Sequence, residues 1–323
     1  MALRRALDEA LEKATDAQRE RFFAVLPTDA GGASLHSGLP GLVPVARPRP
    51  LSLGGGQWQR RNPVTPETAR ELLAMSGSYR RCYQTMPATR LFEVSRAHLS
   101  LILDLHPRWQ PPPVRRELLR AAGQSATTSA MLLYSDLDRY SEALPYLDLA
   151  HDASQENDDP DLAALVLVCR AYLTQFSGGS PALAAEFADA GVSVSIDGAA
   201  RPTTRGLAAA ISSRQLAVLG DERGSRTRLD AAREAMAGYQ SDPAGTEVCT
   251  FDPTMVAYYE SGNLVKLGRY GDALAALSIA VHTQYGHGLA RVRRIAQAAL
   301  PTNAAAARRL WAEVLGVTPP STS

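Results

Sequence analysis

The stretch Tyr140-Ser-Glu-Ala143-Leu-Pro-Tyr-Leu147-Asp-Leu-Ala150 decides the fold, because its spacing returns later in the chain. The second copy, Tyr270-Gly-Asp-Ala273-Leu-Ala-Ala-Leu277-Ser-Ile-Ala280, has the same order: an aromatic residue, alanine three later, leucine four further, then alanine after three more. Offsets of three and four place these side chains on one face of a helix. A small residue there lets an antiparallel helix approach closely, while the leucine and the second alanine contact the next pair. The spacing therefore predicts stacked helical hairpins.

Two weaker copies lie between the strict ones. Ala184 takes the first small position in one copy, with Ala188 in place of leucine, and the other copy has Ser225, Leu229 and Ala232. The first small positions fall at residues 143, 184, 225 and 273, giving periods of 41, 41 and 48 residues. The pattern resembles the second helix of a tetratricopeptide repeat, although the bare repeat spans only ~34 residues. We interpret the polar stretches 155–160 and 240–246 as longer loops that account for the surplus, whereas chance coincidence in an alanine-rich helical protein is the alternative.

Composition favours helices over sheets. Hydrophobic residues make up 45% of the 323 residues but aromatic residues only 6%, which suits helix packing through small side chains. No convincing alternating strand pattern occurs, so we predict an all-α, tetratricopeptide-like helical-hairpin solenoid. The sequence has no apolar run of ~18 residues, and its N-terminal helix lacks the apolar core of a signal peptide. Three distant cysteines, Cys82, Cys169 and Cys249, indicate reduced thiols and a cytoplasmic protein, with Cys169 as a small core residue.

The composition divides the chain into four parts. We expect an amphipathic helix over residues 1–27, a basic linker rich in proline and glycine over 28–65, the repeat domain over 66–316 and a disordered tail over 317–323. Within the repeat domain we expect early helices from Pro66 to about Tyr79, over Glu93–Leu105 and over Pro113–Tyr134. Pro145 falls inside a repeat helix, where the first turn tolerates it.

Three longer stretches resemble a known family. These are Val94-Ser-Arg-Ala-His-Leu-Ser-Leu-Ile-Leu-Asp-Leu, Leu132-Leu-Tyr-Ser-Asp-Leu-Asp-Arg-Tyr-Ser-Glu-Ala-Leu and Gly262-Asn-Leu-Val-Lys-Leu-Gly-Arg-Tyr-Gly-Asp-Ala-Leu. They are similar to the tetratricopeptide sensor domain of actinobacterial transcriptional regulators of the XRE class, in which a Cro/repressor-like helix-turn-helix precedes that domain. The resemblance covers about residues 67–316 and, more loosely, the first helix, and it includes no helix-turn-helix. It therefore implies a regulatory or ligand-sensing helical domain and leaves DNA binding without support.

The sequence has no strong catalytic or metal-binding motif. His282 and His287 lack a nearby cysteine to complete a zinc site, and His98 in an apolar helix is better explained as a packed or capping residue. Neither a nucleophile elbow nor a phosphate-binding loop occurs. Asp252 and Glu260 would form a carboxylate pair only if folding brought them together. We therefore predict no enzyme activity, no cofactor and no metal.

Charge is distributed in blocks. Arg47, Arg49, Arg60 and Arg61 flank Trp58 in the linker, too few basic residues for us to expect direct DNA binding. Residues 136–161 instead hold nine carboxylates against the single base Arg139. Such an acidic block either steers a charged partner or forms solvated helix faces.

The first helices of the hairpins are expected to face a concave binding groove. Counting back from the small positions places six residues on these helices: Arg170, Arg214, Tyr258, Tyr259, Glu260 and Asn263. The arginines suit a carboxylate ligand, although they would equally pair with neighbouring acids. The tyrosines either line the groove, or one packs in the core while the other faces solvent.

Three functions follow from this interpretation. The leading one is a non-catalytic regulatory module that binds a peptide, a protein or a small ligand in the groove. The second is a structural scaffold that associates with itself as a homo-oligomer. The third is a cryptic enzyme built on a helical-repeat fold. We expect no membrane partner under any of the three.

Overall fold

The computed structural model describes residues 64–83, 85–105, 110–239 and 247–269, together with residues 272, 273 and 276. Within these residues the chain forms nine helices and no strand, which confirms the all-α prediction for this part of the chain. The helices are α1 (Pro66–Cys82), α2 (Ala88–Leu105), α3 (Pro112–Ser135), α4 (Tyr140–Asn157), α5 (Pro160–Phe176), α6 (Pro181–Asp197), α7 (Pro202–Val218), α8 (Glu222–Ala235) and α9 (Pro253–Lys266). The predicted N-terminal helix, the tail and all but the last two residues of the predicted linker lie outside the described residues.

Proline and a polar cap mark where several helices begin. Proline fixes the backbone angle that a first helical turn needs, and its missing N–H has no partner in that turn anyway. In α1 the Thr65 hydroxyl accepts a hydrogen bond from the Thr68 N–H at 3.2 Å, just before Pro66. In α5 the Asp159 carboxylate accepts from the Leu162 N–H at 3.1 Å, just before Pro160. The start of α1 at Pro66 agrees with the sequence prediction.

The helices follow one another as hairpins that pack in chain order. The pairs α3–α4, α5–α6 and α7–α8 each form extensive contacts within a hairpin. Every odd-numbered helix also packs against the next odd-numbered one, from α1 to α9, and every even-numbered helix packs against the odd-numbered helix that follows. The described region is therefore a regular, repeat-like arrangement of helical hairpins.

The small positions predicted from the repeat spacing are buried at the helix contacts. Ala143, Ala184 and Ala273 are fully buried, and Ser225 is 2% exposed. Leu147 in α4 is also fully buried, and burial of a leucine side chain stabilises a fold by roughly 1.5–3 kcal/mol. The partners Leu277 and Ala280 of the last copy lie outside the described residues.

Gly191 shows how closely two helices of one hairpin approach. It occupies the second small position of the degraded copy in α6, where the strict copies carry alanine. A Cβ atom at this position would lie 2.8 Å from Val168 Cγ1 in α5, closer than side chains pack. Glycine therefore replaces alanine here because α5 and α6 leave no room for a methyl group.

Two helix boundaries differ from the prediction. The helix expected over Glu93–Leu105 begins five residues earlier at Ala88, because the Pro87 carbonyl accepts from the Leu91 N–H at 3.0 Å and so initiates the first turn. Pro145 is the sixth residue of α4, one turn later than expected. The first-turn explanation was wrong for it, since here the ring removes a regular hydrogen bond from the second turn.

Four carboxylates of the acidic block of residues 136–161 pair with basic side chains of neighbouring helices. Arg115 Nε in α3 donates to Glu156 Oε1 at 2.8 Å, and Arg170 in α5 pairs with Asp148 in α4 at 2.5 Å. Arg120 in α3 reaches both Asp159, at 3.4 Å, and Asp161, at 3.3 Å. Asp148, Asp159 and Asp161 therefore connect adjacent hairpins, while Glu156 joins the two helices of one hairpin.

The described residues also bear on two sequence predictions, one about the cysteines and one about membrane-spanning helices. All three cysteines are free thiols, with Cys169 and Cys249 buried, which agrees with the prediction of reduced thiols and of Cys169 as a core residue. Within the described ranges, no helix has the length and apolar character needed to cross a bilayer.

Candidate functional site

A cavity of about 220 Å³ lies on the face formed by the odd-numbered helices. Each of these five helices contributes at least one lining residue. Representatives are Arg80 of α1, Met131 of α3, Val168 of α5, Ile211 of α7 and Tyr259 of α9. Because these residues come from every described hairpin, the cavity is a property of the whole array, and we call it the central cavity.

A short segment between α8 and α9 closes one side of the central cavity. Val248, Cys249 and Thr250 line it, and the adjacent Phe251 is 1% exposed. The Thr204 hydroxyl of α7 lies 3.9 Å from Cys249 Sγ and donates to Asp161 Oδ1 at 2.8 Å, so it is placed to accept from the thiol. We refer to residues 248–251 as the crossing segment, because they lie against the odd-numbered helices α7 and α9.

Gly206 makes room for the crossing segment. Its position in α7 faces the Phe251 ring, and a Cβ atom there would lie 2.8 Å from Phe251 Cε1 and 3.1 Å from Met236 Sδ. Phe251 also contacts Tyr259 of α9, with ring centroids 6.1 Å apart. The ring is thus held between two odd-numbered helices.

Aromatic side chains form one wall of the central cavity. The Phe176 ring stacks on Tyr134 from α3 and on Tyr172 of its own helix, each with centroids 5.9 Å apart. The Tyr172 hydroxyl donates to the Tyr259 hydroxyl at 2.9 Å, which connects α5 to α9. Burial raises the pKa of the Tyr134 hydroxyl well above its usual value, so this phenol stays neutral. The wall therefore offers ring faces together with neutral hydroxyl groups.

The two thiols in the cavity are not activated. Burial raises the pKa of both Cys169 and Cys249 to about 12, although the nearby Arg80 guanidinium lowers that of Cys249 in part. The thiolate is the nucleophilic form, and almost none is present near neutral pH at such values. Both cysteines act here as small, weakly polar wall residues.

The α1 end of the central cavity is positively charged, unlike the neutral aromatic wall and the protonated thiols. Arg80 and Arg81 both line it. Arg80 Nη1 donates to Gln124 Oε1 at 3.1 Å, while Arg80 Nε is buried without a hydrogen-bond partner among the described residues. Burial lowers the pKa of Arg80. No carboxylate of the described chain pairs with Arg80, so this end of the cavity carries a positive charge.

Arg170, one of the predicted ligand residues, has an internal partner. It is 6% exposed and pairs with Asp148 of α4 at 2.5 Å, which corresponds to the alternative that the arginines pair with neighbouring acids. Its predicted ligand role stays a prediction.

Arg214 lies beside the aromatic wall. Its guanidinium carbon is 5.7 Å from the Tyr172 ring centroid, and its Nε donates to Gln175 at 3.3 Å. Within the described part of the chain no carboxylate pairs with it. Tyr172 lines the central cavity, whereas Arg214 does not.

Both predicted tyrosines are buried. Tyr258 is 7% and Tyr259 5% exposed, and their rings meet edge to face at 5.6 Å. The alternative in which one of them faces solvent was therefore wrong. Of the six predicted residues, Tyr259 is the one that lines the central cavity.

Glu260 and Asn263 are not among the residues that line the central cavity. Glu260 pairs with Arg233 of α8 at 2.7 Å, and Asn263 Nδ2 donates to Ser213 at 2.9 Å and to Ser225 at 3.2 Å. Both border a second hollow, next to residues 272 and 276. Of the six predicted residues, Tyr259 therefore lines the central cavity and these two line the second hollow, while Arg170, Arg214 and Tyr258 line neither.

Two other arrangements that resemble catalytic groups serve packing. Asp252 caps α9 by accepting from the Met255 N–H at 3.1 Å, whereas Glu260 pairs elsewhere, so the suggested carboxylate pair has separate uses. Ser76 Oγ lies 3.0 Å from His98 Nε2, but both residues are buried and Ser76 also contacts Ser125 at 2.9 Å. Burial lowers the pKa of His98, which agrees with its interpretation as a packed residue.

Sequence reasoning missed Arg80, Arg81 and the crossing segment. The repeat spacing starts at Ala143, so it does not cover α1, and the segment follows a stretch interpreted only as a long loop. The available signal was Tyr79-Arg-Arg-Cys-Tyr83, in which two arginines stand between aromatic residues. Among the described residues, no group of three or more histidine, cysteine, aspartate or glutamate side chains is arranged to hold a metal ion.

Comparison of the chain with protein-family models, with curated proteins and with solved structures gives no match.

Proposed function

We propose that this protein is a non-catalytic regulatory module that binds a small ligand in the central cavity. The observation that carries the proposal is the origin of the cavity walls, because all five odd-numbered helices and the crossing segment contribute to them. A molecule bound there touches every described hairpin at once. Its binding energy would then favour one relative arrangement of the hairpins, which is how a ligand shifts a conformational equilibrium.

The hairpin order supports a tetratricopeptide-like solenoid as the scaffold for this function. Each odd-numbered helix packs on the next one, as expected for the first helices of successive repeats. The resemblance to regulator sensor domains supports the same role, with the ligand as the signal. In this proposal the odd-numbered helices form the concave side.

The crossing segment favours a small ligand over a peptide or a protein. It already lies over the odd-numbered helices, with Val248 at 2% and Phe251 at 1% exposure. An extended peptide would have to displace these buried side chains, whereas a small molecule fits into the remaining space. A volume of about 220 Å³ lies just below the roughly 300–1,000 Å³ of drug-sized ligand sites.

The wall chemistry supports binding without catalysis. The cavity holds protonated thiols and a neutral phenol at Tyr134, and these groups are weak bases and poor nucleophiles near neutral pH.

The test is retention of a small molecule by the intact chain. The protein is incubated with a cellular metabolite extract, exchanged into volatile buffer and analysed by native mass spectrometry. We expect a bound mass that is absent from the variant Met131→Trp, whose indole fills the cavity from the partly buried Met131 side, and a higher Tm in the presence of that molecule.

Recovery of the bound molecule in chemically unchanged form would support a non-catalytic role. Recovery of a converted product would instead favour the enzyme alternative. Equal retention by the wild type and by Met131→Trp would place binding elsewhere and would contradict the proposal.

A further inference from the structure

We infer that the ligand of the central cavity is a small amphiphilic anion, with its charged group bound by Arg80 and its apolar body against the aromatic wall. The inference rests on the proposed function, since it specifies the ligand class for the same site. It follows from the hydrogen bonds, charges and wall chemistry around Arg80.

Arg80 has more donors than the fold uses. A guanidinium offers five N–H donors and remains charged in proteins. Among the described residues, the side chain of Arg80 donates only to the neutral oxygen of Gln124, at 3.1 Å. Its Nε is buried without an acceptor, and the Nε2 amide of Gln124 is also buried without one. Because Arg80 lines the cavity, an anion at this end would supply acceptors to its guanidinium.

The nearby charges leave this positive site uncompensated. Arg120 and Arg81 add further positive charge, but Arg120 is already paired with Asp159 and Asp161. Among the described carboxylates, the charge of Glu247 acts on Arg80, although Glu247 forms no ion pair with it and accepts from the Tyr239 hydroxyl at 3.2 Å. The Cys249 thiol faces Arg80 in its protonated form. Since no described carboxylate pairs with Arg80, the bound anion would be its counter-ion.

The rest of the lining suits an apolar body. Val168, Ile211 and Met131 provide aliphatic contacts, and the rings of Tyr172 and Phe176 provide flat faces. The volume of about 220 Å³ suits one or two rings or a short alkyl chain. A carboxylate is the simplest anion that accepts two parallel N–H bonds from a guanidinium.

The experiment compares isosteric pairs that differ in charge. The probes are naphthalene-2-carboxylate with naphthalene-2-carboxamide, and octanoate with octanamide, each titrated calorimetrically into the full chain at pH 7. We expect the carboxylates to bind at least about 10-fold tighter than their amides, because a hydrogen bond to a charged group contributes most when it is buried.

The variant Arg80→Gln should weaken the carboxylates by about 10- to 100-fold and leave the amides unchanged. Arg80→Lys should restore part of the difference, since lysine keeps the charge without the fork geometry. The matched control is Arg116→Gln, an exposed position in α3 that removes the same charge and should change nothing. Met131→Trp should abolish binding of all four probes.

The outcomes separate the inference from the proposed function. Equal binding of carboxylates and amides, or carboxylate affinity unaffected by Arg80→Gln in a variant that melts like the wild type, would overturn the anion inference alone. Absence of binding by every probe, together with no retained mass from the metabolite extract, would overturn both.

Discussion

Arg170 and Arg80, two arginines in different hairpins, have opposite surroundings. Arg170 in α5 is 6% exposed and its charge is matched by Asp148 at 2.5 Å. Arg80 in α1 lines a cavity, and its one described side-chain partner is the neutral amide of Gln124. A cation that the fold has already paired contributes to stability. A cation without a described carboxylate costs desolvation free energy until a ligand supplies the counter-ion. Arg170 therefore has a structural role, while Arg80 is available to bind a ligand. The residue type alone does not reveal this difference.

Removal of the acid next to Arg170 gives the largest expected effect. Asp148→Ala leaves a buried guanidinium without its charge partner and should lower the free energy of unfolding by about 2 kcal/mol. Urea denaturation followed by circular dichroism measures it. Asp230→Ala is the control, since its i,i+3 pair with Arg233 is exposed and should contribute under about 0.5 kcal/mol. Equal losses in the two variants would show that the pairing of Arg170 is not structural.

Adding Arg170→Met to Asp148→Ala should recover most of the lost stability, because the double variant no longer buries an unpaired charge. If the double variant is as unstable as Asp148→Ala, the loss has another cause than the unpaired charge.

The central cavity that Arg80 lines keeps its shape only while the crossing segment stays packed against α7. Gly206→Ala forces Phe251 away from α7, because the new methyl group would lie 2.8 Å from its ring, and should cost about 1–2 kcal/mol. Gly262→Ala in α9 is the matched control, since its nearest contact would be Arg214 at 3.7 Å. It should gain about 0.5–1 kcal/mol from helix propensity. Thermal melts of both variants test the prediction, and a gain in both would mean that Phe251 yields easily.

The free energy of unfolding should also depend on pH, because His151 near Arg170 titrates differently in the folded and unfolded chain. Burial lowers the pKa of His151 to about 4, and the charge of Arg170 adds to this effect. The unfolded chain binds a proton near pH 6.5 while the folded chain does not, so the contribution is complete above pH 6.5 and decreases as the pH falls towards 4. Between pH 7 and pH 5 the loss should be about 1–2 kcal/mol.

Urea titrations at a series of pH values measure this slope, and His151→Gln should flatten it. Part of the slope should remain, because burial lowers the pKa of His98 as well. An identical slope in wild type and His151→Gln would remove His151 from the explanation.

The smallest effect concerns Arg80 itself. Arg80→Met removes a charge that no described carboxylate compensates, and should leave the ligand-free protein unchanged or more stable by up to about 1 kcal/mol. Arg170→Met should give no such gain, because Arg170 already has its acid. Thermal melts in ligand-free buffer compare the two, and a clear loss in Arg80→Met would mean that Arg80 is structural.

The sequence predicted the parts of the fold that depend on neighbours along one helix. Pro66 and Thr65 marked a helix start, and Ala143, Ala184 and Ser225 marked buried contacts, because these features depend on local spacing. It placed Arg170 and Tyr259 on the first helices of hairpins. It could not show that Arg170 would meet Asp148, because that contact depends on the rotation of α4 against α5.

The central cavity was not predictable because its walls are distant in the sequence. Arg80 and Tyr259 line the same cavity although α1 and α9 lie at opposite ends of the described chain. The crossing segment adds a second difficulty. A loop follows a path set by the surfaces that it meets, here Gly206 and Thr204 of α7, and no local pattern in residues 248–251 encodes that path.

The late position of the crossing segment has a consequence for synthesis. Helices α1 to α8 leave the ribosome before residue 248 does, so the nascent chain displays the surface of α7 around Gly206 without the Phe251 ring that later packs there. Domains begin to fold while they are being made, and apolar surface that stays open at this stage promotes aggregation. A premature stop between α8 and α9 would therefore leave a translation product that needs chaperones, although most of its helices would already have been made.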